Sequence, residues 1–205
     1  MPEPLVLGFD TSAAHCAAAL LSGERLLDSR HEAMERGQAE RLFPLLHELL
    51  DAAGLGWHAL AAIGVGIGPG NFTGIRVAVA AARGLSLALG IPAIGISATE
   101  AAALGLPRPC RVVLPARRDQ VIWQDFGAAP DADVALGAGG GRPQQAAAGA
   151  LPPGPAPAAP PLPVAEAIAR LAMARRHLPC PRPAPLYLRP ADAAPAPEPA
   201  PVLLP

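Results

Sequence analysis

An α/β fold built around a parallel strand–helix–strand crossover is what this 205-residue sequence predicts. Three observations carry that prediction. First, Ile63, Val65 and Ile67 alternate with Gly64, Gly66 and Gly68, the period-two pattern of a strand, and the glycines leave room for a close neighbour on the other face. Second, after the glycine-rich turn Gly68–Gly74, residues Ile75, Ala78, Val79, Ala82, Leu85 and Leu89 recur at helical spacing, with Val77, Ala80, Ala81, Gly84 and Ala88 forming a second face of small residues. Third, Gly90 and Pro92 stop that helix, and Ala93–Ile96 follows as a short buried strand. Short joints between two strands and one helix imply a parallel, right-handed crossover.

The other elements of the first half fall into place around this unit. Leu5–Phe9, Cys16–Leu21 and Arg25–His31 read as three strands of an antiparallel meander, with Asp10-Thr11-Ser12 in the first turn. The residues from Gln38 to Ala53 read as a helix whose apolar face is Leu42, Leu45, Leu46, Leu49, Leu50 and Ala53. Pro44 requires either that this helix begin near Arg41 or that it kink. Asn71 or Thr73 caps the central helix.

Bulk properties narrow the function classes. The chain is 51% hydrophobic, ample for a core, yet it holds only four Phe, two Trp and one Tyr, so aromatic anchors are scarce. Net charge is −1 and every basic residue is arginine, so no broad basic face announces nucleic acid or an anionic membrane. The three cysteines are odd in number and contain no C-x-x-C, against a disulfide framework or zinc site. No apolar run approaches the ~20 residues that span a bilayer, and the N-terminal residues lack a signal-peptide pattern. The expectation is a cytoplasmic protein with no membrane association.

The glycine loop matches no standard nucleotide motif. Gly68, Gly70 and Gly74 miss G-x-G-x-x-G because the third glycine comes one residue late, and a Walker A loop needs a lysine that the chain does not have. Two readings stay open. Gly68, Gly70, Thr73 and Gly74 could hold a phosphate on backbone N–H groups and a helix N-terminus, with Asp10, Thr11 and Ser12 as a separate candidate. Alternatively, the glycines only make a tight strand-to-helix joint. His47 and Glu48 are adjacent and share no helix face, and no histidine belongs to a metal-binding pair, so no metal site is expected.

The second half is less sharply patterned. Ser97 with Glu100 three residues on is a capping box opening a helix to Leu104. Val112–Leu114 and Gln120–Phe126 read as strands, with Trp123 as the anchor of a small core, and Leu186–Leu188 as a last short strand. Residues 128–163 are low-complexity Ala, Pro and Gly, expected as loop or polyproline II. A helix is expected from Val164 to His177, ending in a basic cluster, and the proline-rich residues 190–205 are expected to be mobile. The expected division is residues 1–98 for the first half and 99–205 for a smaller second half.

The string GPGNFTGIR at 68–76, with GIPAIGIS at 90–97, LGFDTSAAHCAAALL at 7–21 and ERLFPLLHELL at 40–50, resembles the bacterial TsaB family. Weaker likeness resumes at 116–126 and 184–190. The resemblance implies an actin-like ATPase, sugar-kinase-like (ribonuclease H-like) fold of two similar halves, here with the second reduced. It implies a non-catalytic subunit that pairs with TsaD, the enzyme that transfers a threonylcarbamoyl group to N6 of the adenosine beside the anticodon of ANN-decoding tRNAs. TsaE would join the complex, ATP and a metal would be used on TsaD with no cofactor on this chain, and tRNA would be reached only through the complex. A homodimer through the same patch is the competing assembly. TsaD-like chains carry two metal-binding histidines after the GIP strand. This chain has Ala98 and Ala102 at those positions, and alanine offers no donor atom. The second-half string D-A-R-x-x-E-V-Y of relatives stands here as Pro115 to Ile122, without its acidic pair. The partner surface is expected on the two first-half helices, at Arg41, Leu42, Leu45, Leu49, Arg76, Val77, Ala81 and Gly84. The rival is a stand-alone actin-like ATP-dependent phosphotransferase or hydrolase using Asp10, Thr11 and the 68–74 loop.

Overall fold

The computed structural model describes residues 3–128 and 140–188. The expectation for residues 190–205, and part of that for 128–163, therefore lie outside the described residues.

Strands β1 (Leu5–Asp10), β2 (His15–Ser22), β3 (Arg25–Ala33), β4 (Leu60–Gly66) and β5 (Ala93–Ile96) form one sheet in the order β3-β2-β1-β4-β5. The β1–β2 and β2–β3 pairs are antiparallel, whereas β1–β4 and β4–β5 are parallel. Only β2 is therefore reversed. This is the mixed sheet of the actin-like, ribonuclease H-like fold. The expected crossover is present as β4, α2 (Phe72–Leu89) and β5. Helix α1 (Gln38–Ala52) and α2 cover one face of the sheet. Leu42, Leu45, Leu46, Leu49 and Leu50 of α1 meet Ala78, Ala81 and Ala82 of α2 over Leu7, Phe9, Ile63 and Val65. Helix α1 passes straight through Pro44, which sits on its exposed side and forfeits only the bond to the Glu40 carbonyl.

The opposite face is covered by helix α4 (Val164–Arg175), drawn from the far end of the chain. Gly8 and Gly64 are direct partners in the parallel β1–β4 ladder. Together they make a trough without side chains. A Cβ on Gly8 would stand 2.6 Å from the Ala165 carbonyl oxygen and from the Ala169 nitrogen, and one on Gly64 would stand 2.8 Å from the Ala172 methyl. Glycine at these two places lets the helix backbone lie on the sheet itself. The alanine richness of α4 serves the same close approach, since Ala165, Ala167, Ala169 and Ala172 are all buried. The helix ends at Arg175, two residues short of expectation.

The second sheet is an antiparallel meander of β6 (Cys110–Pro115), β7 (Gln120–Phe126) and β8 (Gln144–Ala147). It repeats the β1–β3 meander of the first half without a counterpart to β4 and β5 among the described residues. Helix α3 (Ala98–Ala103) leads into it, and its capping box is formed: the Ser97 hydroxyl accepts from the Glu100 N–H while the Glu100 carboxylate accepts from the Ser97 N–H. Three expectations are corrected here. Phe126, not Trp123, fills the small core with Ala102, Ala103, Cys110 and Val112. Strand side chains alternate, so residues three apart face opposite sides; Trp123 lies instead under the Arg111 guanidinium, 4.9 Å from its ring. The Ala/Pro/Gly-rich segment contains strand β8. It is also tied down by Arg111, which donates to the Pro152 carbonyl at 2.6 Å and forms a bidentate pair with Asp125. Finally, residues 186–188 form no strand; a single main-chain bond runs from the Leu186 N–H to the Ile67 carbonyl at 2.8 Å.

Two measurements follow from this packing. Gly8→Ala is expected to destabilise by roughly 1–3 kcal/mol, because the new methyl meets backbone that cannot yield. Gly84→Ala, at an open position of α2 with nothing within 4 Å, should stabilise by up to ~1 kcal/mol; urea midpoints read both. Burial pushes the Cys16 thiol up to about 11 and raises that of Cys110 as well, while Cys180 is exposed. A thiol titration at pH 8 should therefore label Cys180 at once and the other two only after unfolding.

Candidate functional site

The two loops singled out in the sequence do meet. Asp10, Thr11 and Ser12, at the end of β1, are all buried. A Cβ on Gly70 would lie 2.2 Å from the Ser12 carbonyl oxygen, and one on Gly74 would lie 1.8 Å from that of Thr11. Backbone fills the space that both glycines vacate. The Asn71 N–H donates to the Ser12 carbonyl at 2.6 Å, and the Thr11 hydroxyl donates to the Gly74 carbonyl at 2.6 Å. Gly68, at φ +89°, accepts from the Ala98 N–H at 2.8 Å, which ties the same loop to the start of α3. Of the two open readings, the geometry is that of the tight joint.

Several of the polar groups an anion would use are already engaged. Asn71, and not Thr73, caps α2: its side-chain oxygen accepts from the N–H groups of Thr73 at 3.0 Å and Gly74 at 3.2 Å. Asp10 Oδ2 accepts from the Ser12 N–H at 3.1 Å and the Ser12 hydroxyl at 3.0 Å, and lies 2.7 Å from His15 Nε2. His15 was not singled out in the sequence. A lone histidine on a strand carries no signal, and only the β1–β2 turn brings it back onto Asp10. Among the described residues no cluster of three or more His, Cys, Asp or Glu is arranged to hold a metal. Ala102, one of the two alanines after the GIP strand, packs its methyl into the small second core.

The helical surface needs a sharper correction. Leu42, Leu45 and Leu49 have no exposed surface, because they form the core against β1, β4 and α2. Ala81 is buried in the same cluster and Val77 is packed against it. Leu42, Leu45, Leu49 and Ala81 cannot meet a partner without unfolding, and Val77 offers only part of its surface. Arg41 is held between Glu32 and Glu48, donating to each through two nitrogens at 2.6 to 2.8 Å. Arg76 and Gly84 are exposed as expected. The free face of α2 is instead Ala80, Arg83, Gly84, Leu87 and Ala88, with Leu87 85% exposed. By length and composition α2 is apolar enough to cross a membrane, yet only 33% of it is buried. On α1 the outward residues include Phe43, 46% exposed, and His47, whose ring stacks on Trp57. The signal for Leu87 was in the sequence: Ala80, Gly84, Leu87 and Ala88 share a helical face displaced from the Ile75–Ala78–Ala82 stripe.

Comparison with known proteins agrees with this architecture. The solved structure of YeaZ from Pseudomonas aeruginosa superposes with a TM-score of 0.72 at 30% sequence identity, over 90% of this chain and 100% of that one. The chain belongs to the TsaB family. A family model described as TsaD, tRNA N6-adenosine threonylcarbamoyltransferase, matches residues 31–158. Two relatives carry the name tRNA threonylcarbamoyladenosine biosynthesis protein TsaB. That of Haemophilus influenzae is 38% identical over 104 residues, 50% of this chain and 43% of its own length. That of Buchnera aphidicola is 30% identical over 127 residues, 60% of each chain. The matches thus span about half the length of these relatives.

The joint of this TsaB family member can be probed at its cap. Asn71→Ala is expected to cost about 1 kcal/mol, the usual worth of an N-cap, whereas Thr73→Ala should stay within ~0.5 kcal/mol as an exposed change. Chemical denaturation distinguishes the two; equal costs would show that Asn71 is not the cap.

Proposed function

We propose that this chain is the non-catalytic partner subunit of tRNA threonylcarbamoyladenosine synthesis. It pairs with TsaD, which carries the metal and the transfer chemistry, and TsaE joins the pair with ATP. The observation that carries this reading is the open apolar face of α2, together with membership of the TsaB family. Ala80, Gly84 and Ala88 present small residues around the largely exposed Leu87, with Arg83 beside them. Such a face lets another helix approach closely and gives it one large side chain to enclose. A partner of the same fold would offer an equivalent helix, so the two could pack as a bundle with the outward side of α1 at its rim. An isologous homodimer would use the same face and compete with the heterodimer.

The role is that of a partner because the polar groups of the first-half loops are engaged within the chain. Asp10 is surrounded by Ser12 and His15, and the first amides of α2 are closed by Asn71. The stand-alone phosphotransferase reading would need those groups free.

Light scattering on a sizing column tests the proposal, with this chain alone, TsaD alone, and their mixture. The expected result is a species at the summed mass. Leu87→Glu should weaken its formation at least ~100-fold, since a charge would be buried unpaired at the centre of the contact. Substitution at Glu24, exposed in the β2–β3 turn and paired with Arg170 on the opposite side of the sheet, should leave it unchanged. Two unaltered peaks, even with nucleotide and TsaE present, would overturn the assignment.

A further inference from the structure

A wide cleft lies between the two sheets, at the outer side of the Asp10–Ser12 turn. Four arginines from three segments line it: Arg36 before α1, Arg76 on α2, and Arg117 and Arg118 in the β6–β7 hairpin. All four are exposed, and among the described residues Arg36, Arg117 and Arg118 make neither a hydrogen bond nor an ion pair. The carboxylates in the lining are Asp10, which is buried and already engaged, and Glu35. A chain of net charge −1 thus concentrates positive charge in one concavity, where low-dielectric walls focus its field.

The same cleft holds an aromatic platform. Phe72 and Tyr187 stack with ring centroids 4.9 Å apart, and each remains more than a third exposed. The Arg76 guanidinium lies over the Phe72 ring, 3.7 Å from its centroid, and donates to the Tyr187 hydroxyl at 3.0 Å. Arg76 thus links the two rings in one arrangement. Exposed rings beside unpaired arginines suit a ligand that carries flat bases and phosphates together. The cleft does not suit a nucleoside triphosphate alone, because the glycine loop that would cradle its phosphates is filled by the chain's own backbone.

We propose that this cleft binds a single-stranded segment of nucleic acid, with a base on the Phe72–Tyr187 platform and flanking phosphates on Arg117, Arg118 and Arg36. This goes beyond the subunit assignment and does not depend on TsaD pairing.

The test is fluorescence anisotropy of the full chain, without TsaD, against a labelled single-stranded RNA of about ten nucleotides, the same sequence as DNA, and ATP as a competitor. The expected result is saturable binding of the RNA oligomer, of the DNA oligomer, or of both, with ATP a poor competitor. Tyr187→Ala should weaken it ~5- to 150-fold, the range that stacking of one base contributes. An Arg117→Ala/Arg118→Ala double variant should lower the slope of log K against log salt by about 1.4, as for two lost phosphate contacts on a single strand. An Arg25→Ala/Arg142→Ala variant removes equal charge from exposed positions outside the cleft and should leave that slope unchanged. Should Tyr187→Ala fail to fold, the two arginine variants still decide. No binding at physiological salt, competition by ATP as effective as by the oligomer, or equal loss in both arginine variants would overturn the proposal. Each cleft variant should still pair with TsaD, so failure here and failure of the subunit assignment are separate results.

Discussion

The first half of this molecule is organised by a contact between two stretches of backbone with no side chain between them. The Thr11–Ser12 turn lies directly on the glycine loop that opens α2, close enough that a methyl on Gly70 or Gly74 would overlap carbonyl oxygens. That closeness lets Thr11 and Asn71 satisfy main-chain groups across the joint, and it fixes where α2 begins and which way it leaves the sheet. Once the start of α2 is fixed, its rotation is fixed too. Ile75, Ala78 and Ala82 turn inward, and Ala80, Gly84 and Leu87 are left facing out. The joint that closes a possible anion cradle is therefore the same joint that turns Leu87 outward.

Close backbone approach is used a second time on the other side of the sheet. Paired Gly8 and Gly64 form a trough into which α4 settles. With large side chains few and alanine plentiful, apolar surface is buried here mainly by distance, because thin neighbouring elements can approach until backbone meets backbone. This packing also binds the halves together. Residues 164–175 belong to the second half of the sequence, yet they complete the core of the first sheet. Arg175 donates to Glu100, Glu100 closes the cap of α3, and the first amide of α3 donates to Gly68 of the glycine loop. One continuous set of contacts runs from α4 to the start of α2.

This arrangement sorts the surface by chemistry. One side of the first half is a helix layer whose outer face is apolar and small. The mouth between the sheets is arginine-rich and aromatic, with few carboxylates to oppose it. Among the described residues, no group of three or more His, Cys, Asp or Glu is arranged to hold a metal on either surface.

Much of this could be read from the order of residues alone. The period-two run at 63–67, the helical stripe from Ile75 to Leu89, the capping box at Ser97 and the joints at Gly90 and Pro92 are local patterns, and local patterns are set by dihedral preference and by which face must leave water. So the β4–α2–β5 crossover, the meander, α3 and α4 were legible, and so was the family through its glycine string. Tertiary structure alone decided which of two apolar faces of a helix is inside. Leu42, Leu45 and Leu49 looked available to a partner until the sheet beneath them was known. It decided that the glycines at 70 and 74 admit backbone rather than phosphate, since a glycine leaves space without naming what fills it. It also brought together Phe72, Arg76 and Tyr187, the last more than a hundred residues along the chain from the others. No local pattern can reach across that separation, because such contacts are chosen only when the whole core closes.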